Sequence, residues 1–220
     1  ESARRIAETA KRTQSIVQVG HLERFNPAVR ALQSAVTLPL FFEIHRMSAF
    51  SPRSLDVDVV LDLMIHDIDI VLALVGSMPQ EIRAAGISIL SKKVDIANVR
   101  LAFPGGCVAN LTASRISTEK IRKLRLFQPG QYISVDYQRQ DGAIFSVSDQ
   151  QQIGFGSLPV QKEEPLKLEL ESFLECVRTR KRPLVTPEDA IKSLEVGLSI
   201  LDNIGKHAKT VGAAIEAHGA

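Results

Sequence analysis

The chain has 220 residues, of which 45% are hydrophobic and 24% are charged, a balance typical of a globular protein that can bury a sizeable core. The net charge of +2 argues against a nucleic-acid-binding protein, because such proteins carry a larger and clustered excess of Lys and Arg, but it allows a small patch for one diphosphate. With only Cys107 and Cys176, a disulfide scaffold is excluded and a reducing compartment is indicated, so we expect a cytoplasmic protein.

The first residues predict a helix followed by a strand, as at the end of a βαβ-type unit. Residues 2–12 have helical apolar spacing, and "SIVQVG" at 15–20 is a β-rich run closed by Gly20. The sequence has no initiator Met, no signal peptide and no uncharged apolar run of the length that a membrane span needs. We therefore expect a piece of a longer protein, whether naturally short, truncated or proteolysed.

The middle of the chain predicts helices and then an antiparallel sheet. From residue 21 the elements are a helix capped by Asn26 and begun by Pro27, a strand at 39–50, a loop with Arg53, and a helix at 56–75 ended by Gly76. Strand candidates at 81–90, 95–103, 107–116, 122–128, 131–139 and 142–149 follow, several of them separated by tight turns. This arrangement indicates a meander rather than alternating parallel units.

The last third predicts a loop and two helices. Residues 149–164 are polar and contain Gly, whereas 165–181 and 186–207 have helical spacing, the latter begun by a capping box of Thr186 and Asp189. The predicted fold class is therefore α+β, with an open, mostly antiparallel sheet of about five to seven strands and helices on one face. The other face would be solvated or covered, and a homo-oligomer, dimer or tetramer, through the sheet is our hypothesis.

Ionisable side chains interrupt the apolar helix at 56–75. At about 100° per residue, Asp58, His66 and Asp69 lie within about 40° of Asp62 and share one stripe, whereas Asp67 points off the stripe and is expected to be solvated. Asp62 and His66 are neighbours at i, i+4. A carboxylate in that position would orient the imidazole and raise its pKa, which makes His66 a candidate general acid/base.

Spacing alone is compatible with two further arrangements. A solvated or capping Asp–His pair on a helix is the more common one, and Asp62, His66 and Asp69 could also face one metal ion. The stripe has a single His and no evident fourth ligand, so no metal site is predicted. "GFGSLP" at 154–159 lacks the strand-to-helix context of a phosphate-binding loop.

The order of the segments resembles one family. "VQVGHLERFNPAV", a strand and an Arg-bearing loop, "DVDVVLDLMIHDIDIVLALVG", an antiparallel sheet and "RTRKRPLVTPEDAIKSLEVGLSILDNI" together resemble the C-terminal part of the Gfo/Idh/MocA family of NAD(P)-dependent oxidoreductases. The resemblance extends over essentially the whole chain. Within the family, "GHLERFNPAV" together with "DVDVVLDLMIHDID" is similar to dehydrogenases that act on UDP-N-acetylglucosamine, including the 3-dehydrogenases.

The resemblance implies a division into two parts. Residues 1–20 would be the last helix and strand of an N-terminal dinucleotide-binding domain, and residues 21–220 a substrate-binding and oligomerisation domain with the C-terminal fold of glyceraldehyde-3-phosphate dehydrogenase. The family's Gly-rich fingerprint and Glu-Lys-Pro motif do not occur in this sequence. The chain alone would then bind NAD or NADP poorly and be inactive, while the full-length protein would oxidise a hydroxyl of a sugar or nucleotide sugar.

The resemblance also implies roles for individual residues. Asp62 and His66 fall on the family's D-x-x-x-H pattern, so His66 would handle the proton of the substrate hydroxyl and Asp62 would orient it. Asp69 matches the last Asp of the motif, and Asp56 to Asp58 replace a Gly pair. Further candidates for substrate are Arg46, Arg53, Arg115 and Asp69, and those for the cofactor are His21 and Arg24.

The three arginines could each clamp a diphosphate, because a guanidinium group binds phosphate oxygens in pairs. A surface ion pair is the alternative for each of them. Two other functions also stay open: a non-catalytic ligand-binding or assembly module, and a related reductase of another substrate. An upstream coding region with a strand, Gly-rich turn and helix would favour the enzyme.

Overall fold

The structure is a computed structural model that describes residues 1–51, 55–148 and 150–217, with side chains up to residue 210. The helices are α1 (Ser2–Thr13), α2 (Pro27–Ala35), α3 (Ile65–Val75), α4 (Pro165–Thr179) and α5 (Pro187–Ala217). A 3-10 turn, Leu22–Phe25, precedes α2, and a π-helical turn, Val60–Met64, precedes α3. The strands are β1 (Phe41–Met47), β2 (Glu81–Ile87), β3 (Ile96–Ala102), β4 (Val108–Ser114), β5 (Ile121–Gln128), β6 (Gln131–Asp136), β7 (Asp141–Val147) and β8 (Ile153–Ser157).

The eight strands form one open sheet in the order β2-β3-β4-β1-β5-β6-β7-β8. Only the central pair, β1 with β4, is parallel, and the other neighbours are antiparallel. Helix α3 connects β1 to the edge strand β2. The strands β2, β3 and β4 then lead back across the sheet in sequence, so β4 lies beside β1. The predicted open, mostly antiparallel sheet with helices is confirmed.

One face of the sheet carries the core. Along β1, buried and half-buried side chains alternate, so Phe42 and Ile44 point towards the helices. Met64 and Ile68 near the start of α3, together with Ile200 of α5, cover this face and are fully buried. Each such side chain contributes about 1.5–3 kcal/mol by leaving water. The same helices therefore hold the sheet and fix the start of α3 over the middle strands.

Three predicted helix ends are confirmed. The Asn26 side chain accepts a hydrogen bond from the Ala28 N–H at 3.1 Å, and Gly76 ends α3 with φ 75°. At the start of α5, the Thr186 and Asp189 side chains each accept a bond from the other residue's backbone N–H. Both cysteines are buried and free.

Three predicted elements were wrong in place or type. Residues 15–20 form no strand, because among the described residues their only backbone bond to a distant segment joins Val19 N–H to the Val185 carbonyl, and a strand needs a ladder partner. The predicted loop at 149–164 contains β8. Two of its five residues are glycines, which are depleted in strands, so the sequence did not indicate a strand there. The long helix starts at residue 59 rather than 56, and its first hydrogen bonds run from the N–H groups of Leu61 and Asp62 to the Asp58 carbonyl.

The apolar stripe of α4 stays uncovered within the described residues. Its leucines at 166, 170 and 174 are 48%, 54% and 52% exposed, since α4 contacts only the 3-10 turn closely. Within the same residues, no helix combines the length and apolar composition that a membrane crossing requires.

Candidate active site

The helical segment that leads into α3 begins with hydrogen bonds to Asp58 and a π-helical turn. The Asp58 carbonyl accepts the N–H groups of Leu61 and Asp62, both at 3.0 Å, while its side chain binds the Val94 N–H at 2.8 Å. Residues Val60–Met64 then run as a π-helix, which has more residues per turn than an α-helix. The rotation of about 100° per residue, from which Asp62 and His66 are predicted to share one stripe, therefore does not apply between these two residues.

His66 lies against a second imidazole, that of His21. The two ring centroids are 5.6 Å apart and the planes meet at 82°, an edge-to-face contact. His21 is 6% exposed and His66 is half-buried, and the Nδ1 atom of each is buried without a hydrogen-bond partner among the described residues. The contact packs residue 21, just before the 3-10 turn, against α3.

Burial keeps both imidazoles neutral. The pKa of His66 falls to about 4, first because the ring is removed from water and then because Arg46, His21 and Arg122 disfavour a further positive charge, while Glu23 acts in the opposite direction. Burial also lowers the pKa of His21, partly offset by Asp69. The sequence predicted a raised pKa for His66, and that prediction was wrong.

A cluster of buried charges lies beneath the histidines. Arg46 donates to both carboxylate oxygens of Asp67, at 2.7 and 2.9 Å, and to Glu23 at 3.0 Å. Arg122 reaches the same Glu23 oxygen at 3.4 Å, and the Arg46 guanidinium lies 5.5 Å from the centre of the Tyr137 ring. Since Glu23 follows His21 by two residues and Asp67 follows His66 by one, this cluster connects the backbones that carry the two imidazoles.

Asp67 and Arg46 are both engaged inside this cluster. Asp67 was expected to be solvated, and that prediction was wrong: it is 1% exposed, and its ion pair with Arg46 offsets part of the cost of burial. Burial raises the pKa of the Asp67 carboxyl and Arg46 opposes that rise. Arg46 itself is 3% exposed and bound by two carboxylates, so its guanidinium is already paired, and its predicted diphosphate contact stays a prediction.

Arg115 is also used inside the protein. It is 5% exposed, donates to the Val57 carbonyl and lies 3.9 Å from Asp95, a fully buried carboxylate that accepts three backbone N–H groups. Hydrogen bonds from Ile89, Ser91 and Leu90 outweigh burial and hold the pKa of Asp95 at about 2. Arg115 is thus engaged inside the protein, and its predicted diphosphate contact stays a prediction; Arg53 lies outside the described residues.

Arg24 and Asp69 form an ion pair beside His21. The Arg24 guanidinium is 3.4 Å from Asp69, and the Ser193 hydroxyl of α5 lies 3.4 Å from the other carboxylate oxygen. Both side chains line a cavity of about 380 Å³ between the C-terminal half of α3 and the start of α5. Asp69 is 2% exposed, so its first effect is to fix α3 against α5 and the 3-10 turn.

Asp62 stands apart from the other acidic residues. It is half-buried and makes no hydrogen bond or ion pair with His66 within the described part of the chain. The Asp62 carboxylate is also not among the groups that shift the pKa of His66. The catalytic roles of Asp62 and His66 stay predictions. The structure brings together His66, His21, Arg24 and Asp69, whereas the Asp62 side chain makes no hydrogen bond or ion pair with them among the described residues.

The sequence analysis did not identify Glu23 as a residue of this cluster, nor its pairing with Arg46. The signal available in the sequence is one charge at an otherwise buried position of a predicted element, in "ERFN" for Glu23 and in "IHRM" for Arg46. No group of three side chains suited to a metal ion occurs among the described residues.

Comparison with known proteins identifies the family. Residues 29–128 match the GFO/IDH/MocA C-terminal domain. Over 190 residues the chain is 33% identical to UDP-N-acetylglucosamine 3-dehydrogenase of Acidithiobacillus ferrooxidans, a match that covers 82% of this chain and 60% of that relative. The chain belongs to the GFO/IDH/MocA family. The resemblance seen in the sequence is thereby confirmed.

Other members of the GFO/IDH/MocA family agree with this assignment. The chain is 28% identical over 217 residues to scyllo-inositol 2-dehydrogenase (NAD(+)) of Bacillus subtilis, covering 90% of the chain and 63% of the relative. A solved structure of the Acidithiobacillus ferrooxidans 3-dehydrogenase superposes with a TM-score of 0.87 at 30% identity, over 92% of this chain and 66% of that one. The chain thus spans somewhat less than two thirds of these relatives.

Proposed function

We propose that this chain is the substrate-binding and catalytic C-terminal part of an NAD(P)-dependent dehydrogenase that oxidises a hydroxyl group of a sugar or nucleotide sugar. The observation that carries the proposal is the 33% identity to a UDP-N-acetylglucosamine 3-dehydrogenase across 82% of the chain. In this proposal residues 1–20 are the end of the dinucleotide-binding domain and residues 21–220 the substrate domain.

His66 is proposed as the group that receives the hydroxyl proton. The ring is neutral because burial and Arg46 keep its pKa low, so a nitrogen lone pair is free to accept a hydrogen bond from a substrate hydroxyl. The edge-to-face contact with His21 restricts rotation of the ring. Asp62 is proposed to complete the site by orienting substrate or His66 once the substrate is bound.

The cofactor proposed for the full-length protein is NAD or NADP. When bound, it supplies the ring that accepts the hydride leaving the substrate carbon. Among the described residues, His21 offers a buried Nδ1 without a partner, whereas Arg24 is already paired with Asp69. This donor set fits one edge of a nicotinamide and not its diphosphate, which we assign to the N-terminal domain.

Two further parts of the proposal concern location and assembly. The outer face of the sheet carries a row of five aromatic rings, one on each of five adjacent strands, which favours a homo-oligomer formed through that face. The cytoplasmic location predicted from the sequence stays a prediction.

The test is turnover of the full-length protein after replacement of His66. His66→Asn keeps a polar group of similar size but cannot take up a proton, so we expect kcat for UDP-N-acetylglucosamine to fall by about a hundredfold or more. The reaction is followed by NAD(P)H absorbance. His45→Asn, on the outer face of β1, is the control for loss of a histidine and should leave kcat near that of the unmodified protein. Turnover of His66→Asn within about twofold of the control would contradict the role.

A further inference from the structure

A basic pocket of about 280 Å³ opens at the start of β5, next to the buried charge cluster. Four of its lining residues are cationic and two are acidic, so its formal charge is +4 − 2 = +2. These residues are Lys120, Arg122, Lys123, Arg139, Glu119 and Asp136.

The fold makes this pocket concave. Lys123 of β5 lies opposite Asp136 of β6 and His45 of β1, on the outer face of the sheet. Arg122 lies on the inner face, so the pocket that both residues line is placed around the end of β5, where the two faces meet. The Asp136 carboxylate accepts the backbone N–H groups of Gln138 and Arg139, both at 3.0 Å, and so turns the chain after β6 towards β5. One of the two acidic side chains is therefore occupied in building the turn that carries Arg139.

The cations in this pocket are largely uncompensated. Lys120, Lys123 and Arg139 are exposed and form no ion pair within the described residues. Arg122 has one ion pair, at 3.4 Å to Glu23, and its side chain is 36% exposed. Arg46 and Arg115, by contrast, are buried and bound by carboxylates or carbonyls. The positive charge that remains accessible near the candidate site is thus concentrated here.

Arg122 connects the pocket to His66. It lies opposite Arg46 in the β1–β5 ladder, on the same face of the sheet, and both bind the same Glu23 oxygen. Arg46 in turn holds Asp67, the residue after His66. The charge of Arg122 also contributes to the low pKa of His66, which places the guanidinium within electrostatic reach of the imidazole.

We propose that this pocket is the diphosphate subsite of the substrate domain, with the Arg122 fork and the ammonium groups of Lys120 and Lys123 binding the phosphate oxygens. The sugar attached to the diphosphate would extend past Arg122 towards His66. A guanidinium group binds two phosphate oxygens at once and lysines add point charges, so this donor set fits a dianionic diphosphate ester. The proposal rests on the proposed function in that it makes the substrate a nucleotide sugar.

The first test uses this chain and two probes, inorganic pyrophosphate and UDP. Backbone amide shifts are followed by NMR during titration, and we expect the largest changes in residues 119–123 and 136–139 for both probes. In the double variant Lys123→Met/Arg139→Gln, affinity for pyrophosphate should fall by about tenfold or more, since two charged contacts are lost. Lys92→Met/Arg30→Gln removes one exposed lysine and one exposed arginine elsewhere and should bind as the unmodified chain does.

Two results of this titration would overturn the subsite. One is equal affinity of the two double variants for pyrophosphate, and the other is a set of shifts confined to other parts of the chain. A melting curve checks that each variant is folded. If the first variant is unfolded, the single variant Lys120→Met decides by the same criterion.

The second test uses the full-length protein and separates this proposal from the proposed function. Lys123→Met/Arg139→Gln should raise KM for UDP-N-acetylglucosamine by about tenfold with little change in kcat, because binding of a remote group is lost. An unchanged KM with normal turnover would refute the subsite and leave the dehydrogenase function standing. Pyrophosphate binding in the pocket without any turnover of sugars or UDP-sugars would refute the function and leave the anion subsite standing.

Discussion

His66 is a residue whose chemistry is set by its neighbours rather than by its own helix. Burial, Arg46 and Arg122 oppose a charge on the ring, and Glu23 alone among the strong contributors favours one. These groups come from β1, β5 and the 3-10 turn, so helical spacing within residues 56–75 could not reveal them. The catalytic role of His66 stays a prediction, and its predicted partner, Asp62, makes no hydrogen bond or ion pair with the ring among the described residues.

The low pKa of His66 predicts that acid destabilises the fold. The folded pKa is about 4 and the ordinary value is 6.5, so between these values the unfolded chain binds more protons. The free energy of unfolding should therefore fall as the pH is lowered through this window, by about 1–3 kcal/mol from His66 after allowing for its partial exposure. Urea unfolding at several pH values between 7 and 4 measures it.

A matched comparison isolates the contribution of His66, because other carboxyl groups titrate in the same range. His66→Asn should show a flatter pH dependence than the unmodified chain. Parallel curves for His66→Asn and the unmodified chain would mean that the imidazole is not forced to stay neutral in the fold.

Asp67 shows why part of the site could not be predicted at the level of single residues. On an ideal helix it points away from the stripe of Asp62 and Asp69, and a lone Asp in that position is usually solvated. Its burial depends on Arg46, which lies 21 positions earlier in sequence and on another element. Pairing across that distance leaves no local pattern in the sequence.

At the scale of elements, local chemistry predicted most of the fold. Asn26–Pro27, Gly76 and the Thr186–Asp189 box mark helix ends where the structure has them. The π-helical turn Val60–Met64 was not predicted, because no residue type signals it. Likewise, residues 15–20 have strand composition but no partner to pair with among the described residues.

The packing of α5 on β2 depends on Gly86. A Cβ atom at this position would lie 2.8 Å from Val94 Cγ1 and 2.9 Å from Ile204 Cδ1, closer than real contacts allow. We therefore predict that Gly86→Val destabilises the chain by about 1–3 kcal/mol through overpacking. The measurement is the midpoint of urea unfolding.

Gly156 in β8 provides the control for this prediction. A Cβ atom there would meet no atom within 4 Å, so Gly156→Ala should be neutral or slightly stabilising. Shortening the partner in the double variant Gly86→Val/Ile204→Val should recover part of the loss, since the two sites are in contact. An unchanged midpoint for Gly86→Val would show that α5 shifts freely on the sheet.

At the scale of the whole molecule, the two faces of the sheet differ in what covers them. The inner face is closed by α3 and α5, whereas the outer face carries a row of aromatic rings, one on each of five adjacent strands. In order across the sheet the row is Phe41, Phe127, Tyr132, Phe145 and Phe155. Neighbouring centroids are 4.8–5.8 Å apart, and Phe127, Phe145 and Phe155 are 38%, 37% and 70% exposed.

This row predicts self-association through the outer face of the sheet. Water contact with a continuous aromatic surface is unfavourable, and a second copy turned over onto the first would bury both rows at once. Phe127→Lys places a charge in the middle of the row and should shift the chain from dimer or tetramer to monomer, as measured by sedimentation equilibrium. Thr112→Lys, on the polar part of the same face at β4, is the matched control and should associate as the unmodified chain does. A monomeric unmodified chain at high concentration would contradict the assembly, while equal association of both variants would move the contact away from the aromatic row.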